Sequence, residues 1–119
     1  MKHANKEIIM SNNSSHFHAT YLGGPTIILE IGGLRLMTDP TLDPAGTRFV
    51  LNERSTQEKL AGPAVLPGQP IDIVLLSHDQ HFDNLDSSGR AFLKDVKLTI
   101  TTKIGAGRLK GNDVKLYRT

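Results

Sequence analysis

The most pronounced hydrophobic pattern is an unbroken apolar run, IVLL at residues 73–76, that leads directly into the polar segment SHDQHFDNLD at residues 77–86. Apolar residues without polar alternation are typical of a strand that is covered on both faces. In open α/β sheets, ligands usually bind at the carboxyl ends of such strands. The pattern therefore predicts a central strand over residues 71–77, with the candidate chemistry at its end.

A second pattern predicts a β-hairpin, because the runs TIILEI and LRLMTD are separated by two glycines, Gly32 and Gly33. Glycine supplies the positive φ angles that a two-residue turn requires. The resulting register pairs Glu30 with Arg35 on one face and leaves the other face aliphatic. Proline then stops the second strand and leaves Asp39 at its tip. Asp before Pro is also a common turn initiator, which is the alternative interpretation.

The segment HFHATYLG, His16–Gly23, alternates polar and apolar residues and predicts a half-buried strand. His16 and His18 would share one face, and this spacing on a strand also suits metal chelation. The alternative is a pair of exposed strand histidines, since no carboxylate stands beside them in the sequence.

The remaining elements follow from composition and capping signals. Residues 1–15 are polar and predict a flexible leader, so that residues 16–119 form a single domain. Residues 41–70 are rich in Pro and Gly and predict a long connection with a short helix over residues 53–60. Asp86 is expected to cap a helix through residue 94, followed by a strand at 96–102, a helical turn at 105–109 and a strand at 114–117. This order favours an α/β fold class.

The amino-acid composition excludes several kinds of functional site. The 119 residues suffice for one domain, and the absence of cysteine excludes disulfides, thiolate zinc sites and cysteine nucleophiles. No apolar run has the length of a signal peptide or a membrane span, so a soluble cytoplasmic protein is expected. From residue 94 onward there are seven basic side chains, two acidic ones and one aromatic, Tyr117. This pattern favours a solvated face over a nucleic-acid site.

A candidate metal site lies in the polar segment after the central strand. His78, His81 and Asp83 fall within six residues, and imidazole with carboxylate suits Zn, Fe or Mn. A second carboxylate, Asp79 or Asp86, is available to orient an imidazole through its other nitrogen. In the alternative interpretation, the aspartates of a polar loop form turns and cap the following helix.

Three motifs in order, GGPT at residues 23–26, TDPT at 38–41 and LSHDQHFDNLD at 76–86, resemble the N-terminal half of metallo-β-lactamase-fold hydrolases. The most similar branch contains ascorbate-6-phosphate lactonase-like and phospholipase D-like members. The resemblance implies an α/β (α+β) fold, a partial αββα sandwich with one mixed sheet, an N-terminal hairpin and flanking helices. It also implies hydrolysis of an ester, lactone or phosphodiester bond of a small-molecule substrate by metal-bound hydroxide.

The family pattern is His-x-His-x-Asp-His, and this chain departs from it by one extra residue. One alignment makes His78 and His81 metal ligands and Asp83 a metal ligand or catalytic carboxylate; in the other, Gln80 takes the second ligand position. Asn84 stands where the last histidine is expected, which implies one metal site rather than two, with zinc expected and Mn or Fe as alternatives. The residues to which the resemblance gives a positioning role are Asp39, Asp79, Gln80, Asn84 and Asp86.

The family's later ligands have no counterpart, because no histidine follows His81. The resemblance therefore implies an incomplete or weakly active part of a hydrolase. The alternative is a non-catalytic scaffold that binds a second copy or a partner chain through an uncovered, aliphatic sheet face.

Overall fold

A computed structural model describes residues 6–11, 16–63 and 70–117 of the chain. The strands are β1 (Lys6–Ser11), β2 (His16–Gly23), β3 (Thr26–Ile31), β4 (Leu34–Thr38), β5 (Arg48–Asn52), β6 (Ser55–Glu58), β7 (Ile73–Leu75) and β8 (Leu98–Ile100). The helices are α1 (Ser87–Phe92) and α2 (Lys103–Leu109), and a 3₁₀ turn spans Leu93–Asp95.

Six of the described strands form one mixed sheet in the order β1-β2-β3-β4-β7-β8. The first four strands are antiparallel neighbours, whereas β7 pairs in parallel with both β4 and β8. The crossover from β7 to β8 contains α1, as parallel neighbours require a long connection. The predicted mixed α+β architecture, compatible with a partial sandwich, is confirmed.

The predicted β3–β4 hairpin is also confirmed in register. Ile31 pairs with Leu34 and Glu30 pairs with Arg35. Gly32 and Gly33 form the turn with φ angles of 56° and 84°, values that glycine adopts readily. The Arg35 Nε donates to Glu30 Oε1 at 3.0 Å, which is the expected cross-strand ion pair.

The core lies on one face of the sheet. Ile28, Met37 and Val74 point to that face and are at most 2% exposed. They join a buried cluster with Leu93 from the 3₁₀ turn and Leu109 from α2. Burying aliphatic side chains of this size stabilises the fold by about 1.5–3 kcal/mol each.

The opposite face of the sheet is aliphatic and open to solvent. Ile31, Leu34 and Leu75 are 44%, 47% and 37% exposed. The register aligns these residues with Leu29 and Leu36, so the apolar surface crosses several strands. The expectation that the central strand is covered on both faces is therefore wrong for the described residues. The helical segments pack on the core face of the sheet, and no described element covers the face that carries Leu75.

Three sequence predictions of local structure need correction. Residues 53–60 are not helical, because β6 pairs antiparallel with β5 and the Asn52 side chain accepts from Arg54 N to close the turn. Part of the predicted leader, residues 6–11, forms β1 because it pairs with β2; the rest of the leader lies outside the described residues. The predicted last strand is reduced to a single bridge between Thr99 and Leu116.

No helix in the described ranges is both long enough and apolar enough to cross a membrane.

Candidate functional site

The loop after β7 is attached to the tip of β4 by Asp39. The Asp39 backbone N–H donates to Leu75 O at 3.1 Å, and its side chain is almost fully buried. The carboxylate accepts from Ser77 N at 2.6 Å, from the Ser77 hydroxyl at 2.7 Å and from Asn84 Nδ2 at 3.1 Å. Asp39 has a φ of 28°, in the left-handed region that Asp tolerates better than most residues. The residue thus joins both ends of the loop that carries the histidines.

The two histidines of this loop lie next to each other. The ring centroids of His78 and His81 are 5.2 Å apart with an interplanar angle of 80°. The Ser77 hydroxyl lies 3.3 Å from His78 Nδ1. The His81 carbonyl accepts from Asn84 N and Leu85 N at 3.0 and 2.9 Å, which closes a turn of the backbone. These hydrogen bonds hold the backbone from which the second imidazole projects.

The described residues fit a metal only in part. Two imidazoles are suitable zinc ligands and lie close together. Asp83 is exposed and lines a cavity beside Phe82. Among the described side chains, no three His, Asp or Glu groups are placed to hold an ion. The structure places His78 and His81 side by side, with Asp83 on the same loop at an exposed position of the cavity wall.

Asp79 is bound by an arginine rather than by a histidine. It is 4% exposed, and Arg108 of α2 donates to both carboxylate oxygens, with Nε at 3.0 and 2.9 Å from Oδ1 and Oδ2. This Arg108 hydrogen bond lowers the pKa of the Asp79 carboxyl. Arg90 of α1 also donates to the Asp79 carbonyl at 2.8 Å. Two helices are thus attached to the residue that follows His78.

Asp86 connects the same loop to the segment after β4. Its carboxylate caps α1 by accepting from Gly89 N at 2.8 Å. It also accepts from Leu42 N at 2.9 Å and from Asp43 N at 2.7 Å. The Lys59 ammonium lies 3.2 Å from its Oδ2. The predicted cap is confirmed, and one buried carboxylate holds three parts of the chain together.

The orienting role predicted for Asp79 or Asp86 stays a prediction; in the described residues the side-chain partner of Asp79 is Arg108, and those of Asp86 are backbone amides and Lys59. Gln80, the alternative second ligand, is exposed.

His18 lies near the turn of the β3–β4 hairpin. It stands opposite Glu30 in the register, with its Nδ1 3.6 Å from Glu30 Oε2. That position is at the opposite end of β4 from Asp39, so His18 does not belong to this loop, and the side chain of His16 lies outside the described residues.

Two residues of the site, Thr26 and Arg108, were not predicted from the sequence. Thr26 is fully buried and donates its hydroxyl to the Asp39 carbonyl at 2.7 Å. Its position in the GGPT motif was a signal, although its role was not inferred. Arg108 carried no such signal, since nothing in the spacing pairs it with a carboxylate 29 residues earlier.

No protein-family model matches the chain. Over 86 residues it is 31% identical to uncharacterized proteins of Mycobacterium tuberculosis (Rv0906) and Mycobacterium bovis (Mb0930), a match that covers 66% of this chain. The chain spans about a fifth of the length of these curated relatives.

Two solved structures resemble the chain. The isothiocyanate hydrolase from Delia radicum gut bacteria matches with a TM-score of 0.66 and 21% identity, over 85% of this chain and 40% of that protein. A protein of Parabacteroides distasonis, provisionally assigned as a metal-dependent hydrolase, matches with a TM-score of 0.56 and 16% identity, over 96% of this chain and 43% of that protein. The chain shares their fold. These identities are too low to carry over an activity.

Proposed function

We propose that the chain is part of a metal-dependent hydrolase of the metallo-β-lactamase superfamily. The observation that carries this proposal is the pair of adjacent imidazoles, His78 and His81, at the carboxyl end of β7 in a fold shared with two hydrolase-named structures. Ligands at the carboxyl ends of parallel strands are the usual arrangement in such sheets. The substrate class we propose is an ester, a lactone or a phosphodiester.

The proposed roles divide between metal binding and positioning. His78 and His81 would supply two imidazole ligands for zinc, with Mn or Fe as alternatives, and Asp83 would act as the catalytic carboxylate and third ligand. Zinc held by these residues would lower the pKa of a water molecule bound to it. Asn84 donates to Asp39 and to the Ser77 hydroxyl, at 3.1 and 3.2 Å. Its amide is thus used in the loop, which supports one metal site rather than two.

The incomplete ligand set leads us to propose weak activity for this chain alone. As the described residues stand, His78, His81 and Asp83 are not gathered around one point, so an ion held by these three side chains would bind weakly. A complete ligand set would need donors in addition to these three residues.

Zinc titration by calorimetry tests the metal part of the proposal. We expect one zinc ion per chain, and we expect His78→Ala and His81→Ala each to reduce the affinity about tenfold or more. His18→Ala is the matched control, because it removes an imidazole at the other end of the sheet. Absence of any divalent metal uptake at neutral pH would remove the ligand assignment.

Hydrolysis assays test the weak-activity part. We expect negligible zinc-dependent hydrolysis of p-nitrophenyl esters, lactones and bis(p-nitrophenyl) phosphate by the chain alone. Rapid zinc-dependent turnover that His78→Ala abolishes would show that the chain completes its own site.

A second candidate function is a non-catalytic scaffold that associates through the open sheet face. The observation that favours it is the exposure of Ile31, Leu34 and Leu75 on one aliphatic surface. Contiguous apolar surfaces of this kind often mark interaction sites. Analytical ultracentrifugation distinguishes the candidates, because this function predicts a dimer or complex that persists in chelator and is lost in Leu34→Asn.

A further inference from the structure

A cavity of about 430 Å³ lies beside the loop that carries the two histidines. Its walls come from the turn between β2 and β3, from the β5–β6 hairpin with the segment after it, and from the loop after β7. Its apolar lining residues include Leu22, Pro25, Phe49, Leu60 and Phe82. The volume falls within the range of about 300–1,000 Å³ that is typical of small-molecule sites.

Two phenylalanines join the cavity to the candidate metal loop. Phe49 of β5 and Phe82 have ring centroids 4.1 Å apart and an interplanar angle of 11°. Phe82 stands between His81 and Asp83 in the sequence, and Asp83 itself lines the cavity. A group bound in the cavity would therefore lie against the same short segment that carries the proposed ligands.

The charges in the cavity wall disfavour an anionic ligand. Among the described residues that line it, Lys59 is the one cation, and its ammonium is already bound to Asp86 at 3.2 Å and to the Thr41 carbonyl at 3.1 Å. Glu58 and Asp83 add carboxylates to the wall. A phosphate placed there would meet negative charge and no available cation from these residues, whereas an uncharged group would meet apolar side chains.

We infer that this cavity binds an uncharged apolar group, the hydrocarbon chain or ring of a small-molecule substrate. The assignment of that group to a substrate rests on the proposed hydrolase function, but the binding of the group does not. The scissile bond would lie at the two histidines, which do not line the cavity, so the inference favours substrates with an uncharged apolar substituent, whichever of the proposed bonds is hydrolysed.

Binding of octanamide to the whole chain in the presence of chelator tests the cavity without any metal. Octanamide is uncharged and is not an ester, so it reports on the apolar group alone. We expect saturable binding by ligand-observed NMR, and weaker binding of both acetamide and octyl phosphate. Phe49→Ala should reduce the affinity for octanamide about tenfold, since it removes an aromatic wall of the cavity.

A pair of variants distinguishes binding in the cavity from binding on the open sheet face. Leu60 is 89% exposed and lines the cavity, so Leu60→Asn should leave the fold intact and still reduce binding about threefold. Leu34→Asn makes the same exchange on the open sheet face and should bind octanamide like the wild type.

Three results would overturn the inference: no saturable binding of octanamide, equal or tighter binding of octyl phosphate, or a loss caused by Leu34→Asn rather than by Leu60→Asn. Because chelator is present throughout, these results leave the zinc titration untouched. If the chain binds octanamide as expected but takes up no zinc, the inference about the cavity stands and the hydrolase proposal fails.

Discussion

Asp39 binds Ser77 through both of its carboxylate oxygens, one accepting from the backbone N–H at 2.6 Å and the other from the hydroxyl at 2.7 Å. Ser77 directly precedes His78, so the contact sets where the loop leaves the central strand. The oxygen that accepts from the Ser77 hydroxyl, Oδ2, also accepts from Asn84 Nδ2, seven residues after Ser77. One buried carboxylate thus holds the beginning and the end of the segment that contains both histidines.

Asp39→Asn should weaken both the fold and the zinc affinity of the loop. Asparagine tolerates the left-handed φ of this position, so the backbone is not the cause. The new amide donors would meet the Ser77 N–H or Asn84 Nδ2 and leave a buried donor unpaired, at a cost of about 1–3 kcal/mol. Urea unfolding and zinc titration measure the two effects. Asp95→Asn, at an exposed position of the 3₁₀ turn, is the control. Equal stability of the two variants would show that the contact does not hold the loop.

The sequence predicts local structure well wherever neighbours along the chain determine it. The β3–β4 register follows from two glycines, and the α1 cap follows from Asp86 alone. The segment that contains β6 was predicted as a helix because this strand, STQE, is polar and mostly exposed and carries no hydrophobic periodicity. Pattern-based prediction depends on a buried face, and this strand has almost none.

Contacts between distant parts of the chain could not be predicted in the same way. The spacing of His78 and His81 predicts two imidazoles in one loop, and the structure places them side by side. Nothing in the spacing shows that Asp79 turns away from them toward Arg108, since that contact depends on where α2 packs. The placement of Asp83 likewise depends on Phe82, which stacks on a ring 33 positions earlier.

Gly89→Ala should destabilise the fold strongly. A Cβ atom at Gly89 would lie 1.9 Å from the Pro40 carbonyl oxygen, so α1 would have to move away from the tip of β4. Overpacking of this kind costs about 1–3 kcal/mol, and backbone contact places this case at the upper end. Thermal unfolding measures the change.

Gly107→Ala is the matched control for that substitution, because a Cβ there meets no atom within 4 Å and the residue lies within α2. Alanine favours the helix over glycine, so we expect a gain of about 0.4–1 kcal/mol. Similar effects of the two substitutions would contradict the close packing of α1 on Pro40.

Arg108→Ala should destabilise the loop after β7 through Asp79. Asp79 is only 4% exposed, and removal of the guanidinium leaves its carboxylate without the donors that neutralise it. A buried acceptor left unpaired costs about 1–3 kcal/mol. We expect faster hydrogen exchange in residues 77–86 as well as a lower urea midpoint. Lys110→Ala, which removes an exposed cation just after α2, should change neither; if it changes both equally, general charge rather than the Asp79 contact is responsible.

Asp72 should make the stability of the sheet depend on pH in the acid range. The Arg35 backbone N–H donates to its Oδ2 at 2.8 Å, and the Lys97 ammonium lies 3.0 Å from Oδ1. The Arg35 hydrogen bond, followed by Lys97, lowers the pKa of the Asp72 carboxyl in the folded chain. An aspartate in the unfolded chain titrates near about 3.9. A folded-state pKa below that value means that the contribution to stability is fully present above about pH 5 and is lost as the pH falls through the unfolded and then the folded pKa.

Urea unfolding of the wild type and of Asp72→Asn over about pH 3 to 7 checks this expectation. The wild type should be the more stable protein at neutral pH, because only the carboxylate accepts from Arg35 N and pairs with Lys97 at the same time. The difference in unfolding free energy should stay constant down to about pH 5 and shrink toward pH 3, as protonation removes the charge that the substitution also removes. Asp95→Asn, without these two partners among its described contacts, controls for the loss of a surface carboxylate. A difference between wild type and Asp72→Asn that is as large at pH 3 as at pH 7 would contradict the role of the ionised carboxylate.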